Sequence, residues 1–161
     1  MIRIEEADYA YSELISGIIR KSFKTQADIL GISEESYPNY VAFETPARVR
    51  GRMDKGSLFF LAFQGDIPVG TVSISRDRNN LKRGYISRFC VIPEYRGRDY
   101  GKLLISHAEN ILRASGVECI EISIVAEFTR LEEYYSRLGY IANEKKTVPS
   151  LPFLILYMEK R

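Results

Sequence analysis

At 161 residues the chain is long enough to bury a sizeable core and short for two, so one domain spanning 1–161 is expected. An apolar share of 45% and a charged share of 27% are those of a globular protein, without the low-complexity or like-charge runs of a disordered arm. The net charge of +2 is too small for a nucleic-acid or membrane surface, so neither partner is expected.

The N-terminus lacks the basic and apolar regions of a secretory signal. The longest apolar stretches, Leu58–Phe63 and Phe153–Met158, are strand-length and cannot span a bilayer. The two cysteines, Cys90 and Cys119, stand far apart with no framework pattern, which points to reduced thiols and a cytoplasmic setting. One histidine and no cluster at ligand spacing argue against a metal site.

Residues 2–5 read as a first strand. A helix follows, with Tyr11, Leu14, Ile15, Ile18 and Ile19 at i, i+3, i+4 and i+7. Residues 24–45 lose that periodicity and contain Gly31, Pro38 and Asn39, so a long, partly irregular connection is expected. Thr45-Pro46 opens a second helix, capped by the threonine, that stops near Lys55-Gly56.

Leu58–Phe63 is a buried strand, and Gln64-Gly65-Asp66 turns the chain into another that ends near Ile74 and Ser75. A third strand spans Gly84–Ile92. A helix begins near Tyr100, buries Leu104, Ala108, Ile111 and Leu112, and closes at Gly116. Ile120, Ile122 and Ile124 alternate with Glu121 and Ser123, which is strand period. Thr129–Glu132 reads as a capping box opening a short helix that Gly139 ends, and strands at 140–147 and 153–159 complete the chain. The order β-α-α-β-β-β-α-β-α-β-β predicts an α/β fold: a mixed sheet of about seven strands flanked by about four helices.

The stretch from Val91 to Leu104 carries the chemistry. A strand ends at Pro93, a Gly/Arg-rich loop follows, and a helix begins. Backbone N–H groups at a helix start favour anions, and Arg96, Arg98 and Lys102 add positive charge there, so the expected ligand is a phosphate or pyrophosphate. Gly97 and Gly101 are separated by three residues and Leu103 follows Lys102, which fails the Walker spacing; the dinucleotide fingerprint is absent too.

The segment V-x-P-E-Y-R-G-x-x-x-G-K-L-L resembles the acetyl-CoA loop of the GNAT superfamily, Arg/Gln-x-x-Gly-x-Gly/Ala. Arg96 opens the pattern and Gly101 closes it, while Asp99 stands at the middle glycine. Further on, Tyr135, Leu138-Gly139 and Tyr140 keep the family register, but Phe128 and Leu131 replace its Asn and Ala. The closing Leu151–Met158 also resembles a last strand of the family, so the likeness covers most of 58–158 and leaves 24–48 unmatched.

The resemblance implies a GNAT-like fold with a β-α-β crossover and an N-acetyltransferase that uses acetyl-CoA, without a metal, to acetylate an amine by direct attack in a ternary complex. It implies that the loop, Arg96, Gly97, Arg98, Asp99, Tyr100, Gly101 and Lys102, holds the pyrophosphate. It also implies that Phe89, Cys90 and Val91 meet the pantetheine arm where this strand splays from Glu118–Val125, with a Cys90 or Val91 amide facing the oxyanion. By the same resemblance Tyr135 is the general acid that protonates the departing thiolate, although Leu131, Tyr134, Tyr135 and Leu138 also make an apolar helix face. Tyr134 is assigned to packing.

Asp tolerates a left-handed backbone better than most residues, but its carboxylate beside a pyrophosphate weakens binding unless Arg96 or Arg98 pairs with it. No base is assigned, because Ser87 and Arg88 fill the stretch where the family often has Glu, and Glu121 reads as a solvated strand residue. His107 falls on an apolar helix face and reads as structural; Cys90 has no partner His for thiol catalysis. The acceptor, a small-molecule or peptide amine, is open; Asp28, Glu34, Glu35 and Glu44 give residues 24–48 a mild acidic excess that suits a cation. A monomer or homodimer is expected. The alternatives are a non-catalytic acyl-CoA-binding module of the same superfamily and a phosphate-binding α/β protein unrelated to CoA.

Overall fold

Residues 59–63, five apolar side chains in a row, are buried on both faces of a sheet. Phe60 and Ala62 join one core cluster while Phe59, Leu61 and Phe63 join another. Strand-length apolar runs arise in this way, because alternate side chains enter opposite layers. The computed structural model describes all residues, 1–161.

One seven-stranded sheet organises the chain, in the order β1-β2-β3-β4-β5-β7-β6. The strands are β1 (Ile2–Ala7), β2 (Leu58–Gln64), β3 (Ile67–Arg76), β4 (Arg83–Val91), β5 (Cys119–Val125), β6 (Ile141–Thr147) and β7 (Leu154–Lys160). The helices are α1 (Ser12–Leu30), α2 (Pro46–Asp54), α3 (Tyr100–Ala114) and α4 (Thr129–Arg137). Every pairing is antiparallel except β4–β5, which α3 connects. Seven strands, four helices and the β-α-β crossover are those expected from the sequence.

The helices form a layer on each face. Ile15, Ile18 and Ile19 of α1 and Val49 of α2 pack on Phe59 and Leu61. Leu104, Ala108 and Leu112 of α3 and Tyr135 of α4 pack on the other face with Ile120, Ile122 and Ile124 of β5. At about 1.5–3 kcal/mol for each fully buried aliphatic side chain, these two layers supply the main favourable term in folding.

Two local expectations are corrected. α1 does not end before residue 24 but runs to Leu30, where Gly31 closes it at φ 67°. Thr129 does not cap α4: Phe128 stands at that position, no side chain caps the helix, and the Glu132 amide donates to the Phe128 carbonyl. Thr45 does cap α2, accepting from the Arg48 amide at 3.2 Å with Pro46 behind it.

Candidate active site

β4 and β5 pair only over Arg83–Tyr85 and Cys119–Glu121. On its other edge β4 stays with β3 as far as Val91. Between the rungs Ser73–Ser87 and Thr71–Cys90, β4 holds one more residue than β3, and within this bulge Arg88 adopts φ 50°. Such a bulge bends its strand, here away from β5. The bend is close-packed: a Cβ on Gly70 would lie 2.7 Å from the Cys90 carbonyl oxygen. The splay expected from the sequence is therefore present, and the backbone of Phe89, Cys90 and Val91 has no β5 neighbour.

The loop beyond β4 ends in a helix start that nothing caps. None of the backbone N–H groups from Gly97 to Lys102 donates to a protein acceptor, and no side chain caps α3. Six successive free amides with a helix dipole behind them make an anion cradle. Asp99 sits at φ 62°, ψ 13°, the left-handed conformation for which glycine is the usual choice and Asp a tolerated one. Its carboxylate forms no ion pair with Arg96 or Arg98.

Each loop side chain has its own anchor. Arg96 donates from Nε to the Val91 carbonyl at 2.9 Å and from Nη2 to the Ser22 carbonyl at 2.8 Å. Its guanidinium thus ties the loop to β4 and α1, a duty the residue type alone did not disclose. Arg98 lies 4.8 Å over the Tyr95 ring and reaches Gln64, which also accepts from the Tyr100 hydroxyl at 2.7 Å. Gln64, at the end of β2, was not singled out from the sequence. Lys102 is exposed and makes no ion pair.

A cleft of about 700 Å³ runs from this loop between β4, α1 and α4, and a second, about 240 Å³, continues between the splayed strands. Phe23, Gln26, Phe89, Leu131 and Tyr135 line both. Tyr135 is 8% exposed and held edge-on by Phe89, Tyr134 and Tyr140. Its hydroxyl has no hydrogen-bond partner in the protein, yet it is not among the sealed polar atoms. Burial pushes the Tyr135 phenol well above its usual pKa, which keeps it protonated.

Tyr134 is half-buried and lines the larger cleft, its hydroxyl 3.2 Å from where a Cβ on Gly101 would lie. It is thus placed beside the loop and is more than core packing. Burial pushes the Cys90 thiol up to about 12, so the thiolate needed for a thiol-acyl step does not form near neutrality. His107 packs edge-on against Phe60 at 5.0 Å, and burial lowers its pKa. Its structural role matches the sequence reading.

Of the four carboxylates that give residues 24–48 their acidic excess, three are already paired and only the exposed Glu35 has no ion pair. Asp28 pairs with Lys24 at 3.0 Å and Glu34 with Arg20 at 2.7 Å. Glu44 is fully buried and faces Arg88 at 2.9 Å, with Arg48 and Arg52 each at 3.7 Å. Glu121 is held by Arg83, so it is neither a solvated residue nor a base. The smaller cleft has no carboxylate or imidazole among its lining side chains.

A family model described as the acetyltransferase (GNAT) family matches residues 26–140, and the chain belongs to that family. It is 37% identical over 87 residues to the N-alpha-acetyltransferase MAK3 of Arabidopsis thaliana, covering 52% of this chain and 45% of that one. It is 26% identical over 83 residues to N-alpha-acetyltransferase 30 of Schizosaccharomyces pombe, covering 50% and 55%. The chain thus spans about half the length of these curated relatives. In fold it is similar to the PaiA N-acetyltransferase of Thermoplasma acidophilum in complex with coenzyme A, at TM-score 0.81 and 19% identity over 100% of this chain and 99% of that one. The ribosomal-protein-S18-alanine N-acetyltransferase of Escherichia coli follows at 0.77 and 12%, over 99% and 93%.

Proposed function

We propose that the protein is an acetyl-CoA-dependent N-acetyltransferase that passes the acetyl group directly to an amine held in the smaller cleft. The observation that carries this reading is the run of free amides at Gly97–Lys102, set at the mouth of a cleft that ends on the Tyr135 hydroxyl. The amides receive the pyrophosphate, with Lys102 and Arg98 adding charge at the rim. The pantetheine arm lies along Phe89–Val91, where β4 lacks a β5 neighbour. The fold shared with a coenzyme A complex supports the same assignment.

A neutral amine attacks the thioester carbon, and the tetrahedral intermediate then expels the thiolate. Tyr135, protonated and unpartnered, donates to the departing sulfur. With no carboxylate or imidazole in the smaller cleft, the amine loses its proton to water, before or after attack, and water returns a proton to the Tyr135 phenolate. Arg96 acts on the loop's shape, through the Val91 and Ser22 carbonyls, instead of on the phosphates.

The test is a melting curve with and without acetyl-CoA, followed by thiol release over a panel of amines. At a hundredfold excess over Kd, binding stabilises the native state by about 2.7 kcal/mol. A melting shift with CoA and thiol release dependent on an amine are expected. Stabilisation by nucleotides but not CoA removes the cofactor assignment, and CoA binding without product over the whole panel leaves a binding module.

A further inference from the structure

The wall of the smaller cleft has the opposite electrical character from the one its sequence suggests. Arg20, Arg48, Arg52 and Arg88 gather around Glu34 and Glu44, four guanidiniums against two carboxylates. Glu44 is fully buried and accepts from Arg88 Nε, while its Oε1 and Arg52 Nε are both buried without a hydrogen bond, Arg52 standing 3.7 Å from Glu44. Arg20, Arg48 and Arg52 are partly exposed and solvated, but together with Arg88 they keep the surroundings of that residue net positive.

Arg88 is the member of this cluster that lines the cleft. Its left-handed backbone at the β4 bulge and the Nε–Glu44 bond fix the guanidinium, whose Nη1 and Nη2 donate to nothing in the protein. Neither nitrogen is sealed from solvent. A guanidinium held by one edge, with its remaining donors free, suits bidentate capture of a carboxylate. Apolar side chains make most of the rest of the cleft, with Ile86, Ile122, Ile124 and Leu131 beside the uncharged polar Gln26, Asn39, Ser87 and Ser123, and about 240 Å³ matches a compact side chain and not a polycationic chain.

Resting on the acetyl-transfer reading above, we propose that the acceptor is an apolar amino carboxylate, an amine whose own carboxylate binds the free edge of Arg88. Glu44 is a positioning residue: it holds Arg88 and touches no substrate. Polyamines and other cations are disfavoured, since they meet net positive charge and no carboxylate.

The binding test needs no turnover. N-acetyl-leucine, N-acetyl-leucinamide and spermidine are titrated calorimetrically into the CoA-saturated protein, and a peptide amide beginning with leucine is included. N-acetyl-leucine is expected to bind at least about tenfold more tightly than its amide, the free energy of one charge-assisted contact. Arg88→Lys keeps a cation for Glu44, and therefore the fold, but loses the paired donors; the preference for the carboxylate should shrink by about tenfold while the CoA melting shift stays. Equal binding of acid and amide, no binding of either, or tighter binding of spermidine or the peptide amide overturns the proposal. Loss of the CoA melting shift in the unaltered protein overturns the cofactor reading instead, so the two failures are distinguishable.

Discussion

Tyr85 and Glu121 face each other in the last paired rung between β4 and β5, and beyond them the two strands part. Two residues earlier, Arg83 Nη2 donates to Glu121 at 2.5 Å and to Glu159 of β7 at 2.7 Å. One guanidinium thus fastens three adjacent strands at the base of the opening between β4 and β5.

Arg83→Gln should destabilise the protein by about 1–3 kcal/mol, because it leaves two half-buried carboxylates side by side without a cation. The Arg83 hydrogen bond holds the Glu159 carboxyl below its usual pKa. A lowered folded-state pKa gives stability that is present above the unfolded glutamate value, near ~4.3, and is lost as pH falls through the folded one. The stability gap between unaltered protein and Arg83→Gln should therefore be widest at neutral pH and narrow below about pH 4. Urea denaturation at pH 7 and pH 3.5 measures it; a gap that does not change between them removes Arg83 as the cause.

Asp99→Gly should tighten CoA binding. The aspartate already adopts a glycine-like backbone, caps nothing and pairs with no arginine, so its negative charge beside the free amides has no evident compensation. Removing it at a few ångströms from a pyrophosphate is worth about 1 kcal/mol at high effective dielectric, or several-fold in Kd. Asp99→Ala removes the same charge but keeps a Cβ in the left-handed region, and should lower stability by about 1 kcal/mol. Calorimetric Kd values and melting curves separate the two effects. Weaker CoA binding by Asp99→Gly would assign the aspartate a positive role.

The rate should climb with pH as the acceptor amine deprotonates and should show no descending limb up to about pH 10. Burial raises the Tyr135 pKa above the ordinary phenol value of ~10, so the acid form persists across that range. A fall in kcat beginning near pH 8 or 9, with the fold intact, would assign the donated proton to another group.

Element order was legible because nearly every strand and helix buries its apolar face in one of two ordinary layers. The end of α1 was not, because the helix outruns the core. From Lys24 to Leu30 only Ala27 is buried, while Gln26 and the preceding Phe23 line the clefts, so the apolar period fades where the helix leaves the core for the site. The Gly/Arg-rich loop at a helix start pointed to the free amides, but charge alone could not separate Arg96, committed to carbonyls, from Lys102, which makes no ion pair. The Glu44–Arg88 pair joins residues 44 positions apart, and the bulge that makes it carries arginine where a glycine would have signalled the positive φ.

Tyr135→Phe should lower kcat by about 10²–10⁴-fold while leaving the fold and CoA affinity nearly unchanged. The hydroxyl bonds to no protein group, so its loss orphans nothing and removes no internal hydrogen bond. The ring stays, and with it the edge-on contacts to Phe89, Tyr134 and Tyr140. A residue serving only the core would therefore give a variant as active as the parent, whereas a proton donor gives one that binds acetyl-CoA and turns it over slowly. Tyr134→Phe is the matched control: its hydroxyl lies beside Gly101, so a change should appear in the KM for acetyl-CoA before it appears in kcat. Steady-state thiol release at saturating acetyl-CoA, with calorimetric CoA affinity for each variant, measures both. If Tyr135→Phe keeps the parent kcat while Tyr134→Phe loses it, the proton donor is Tyr134 and the assignment moves one residue along α4.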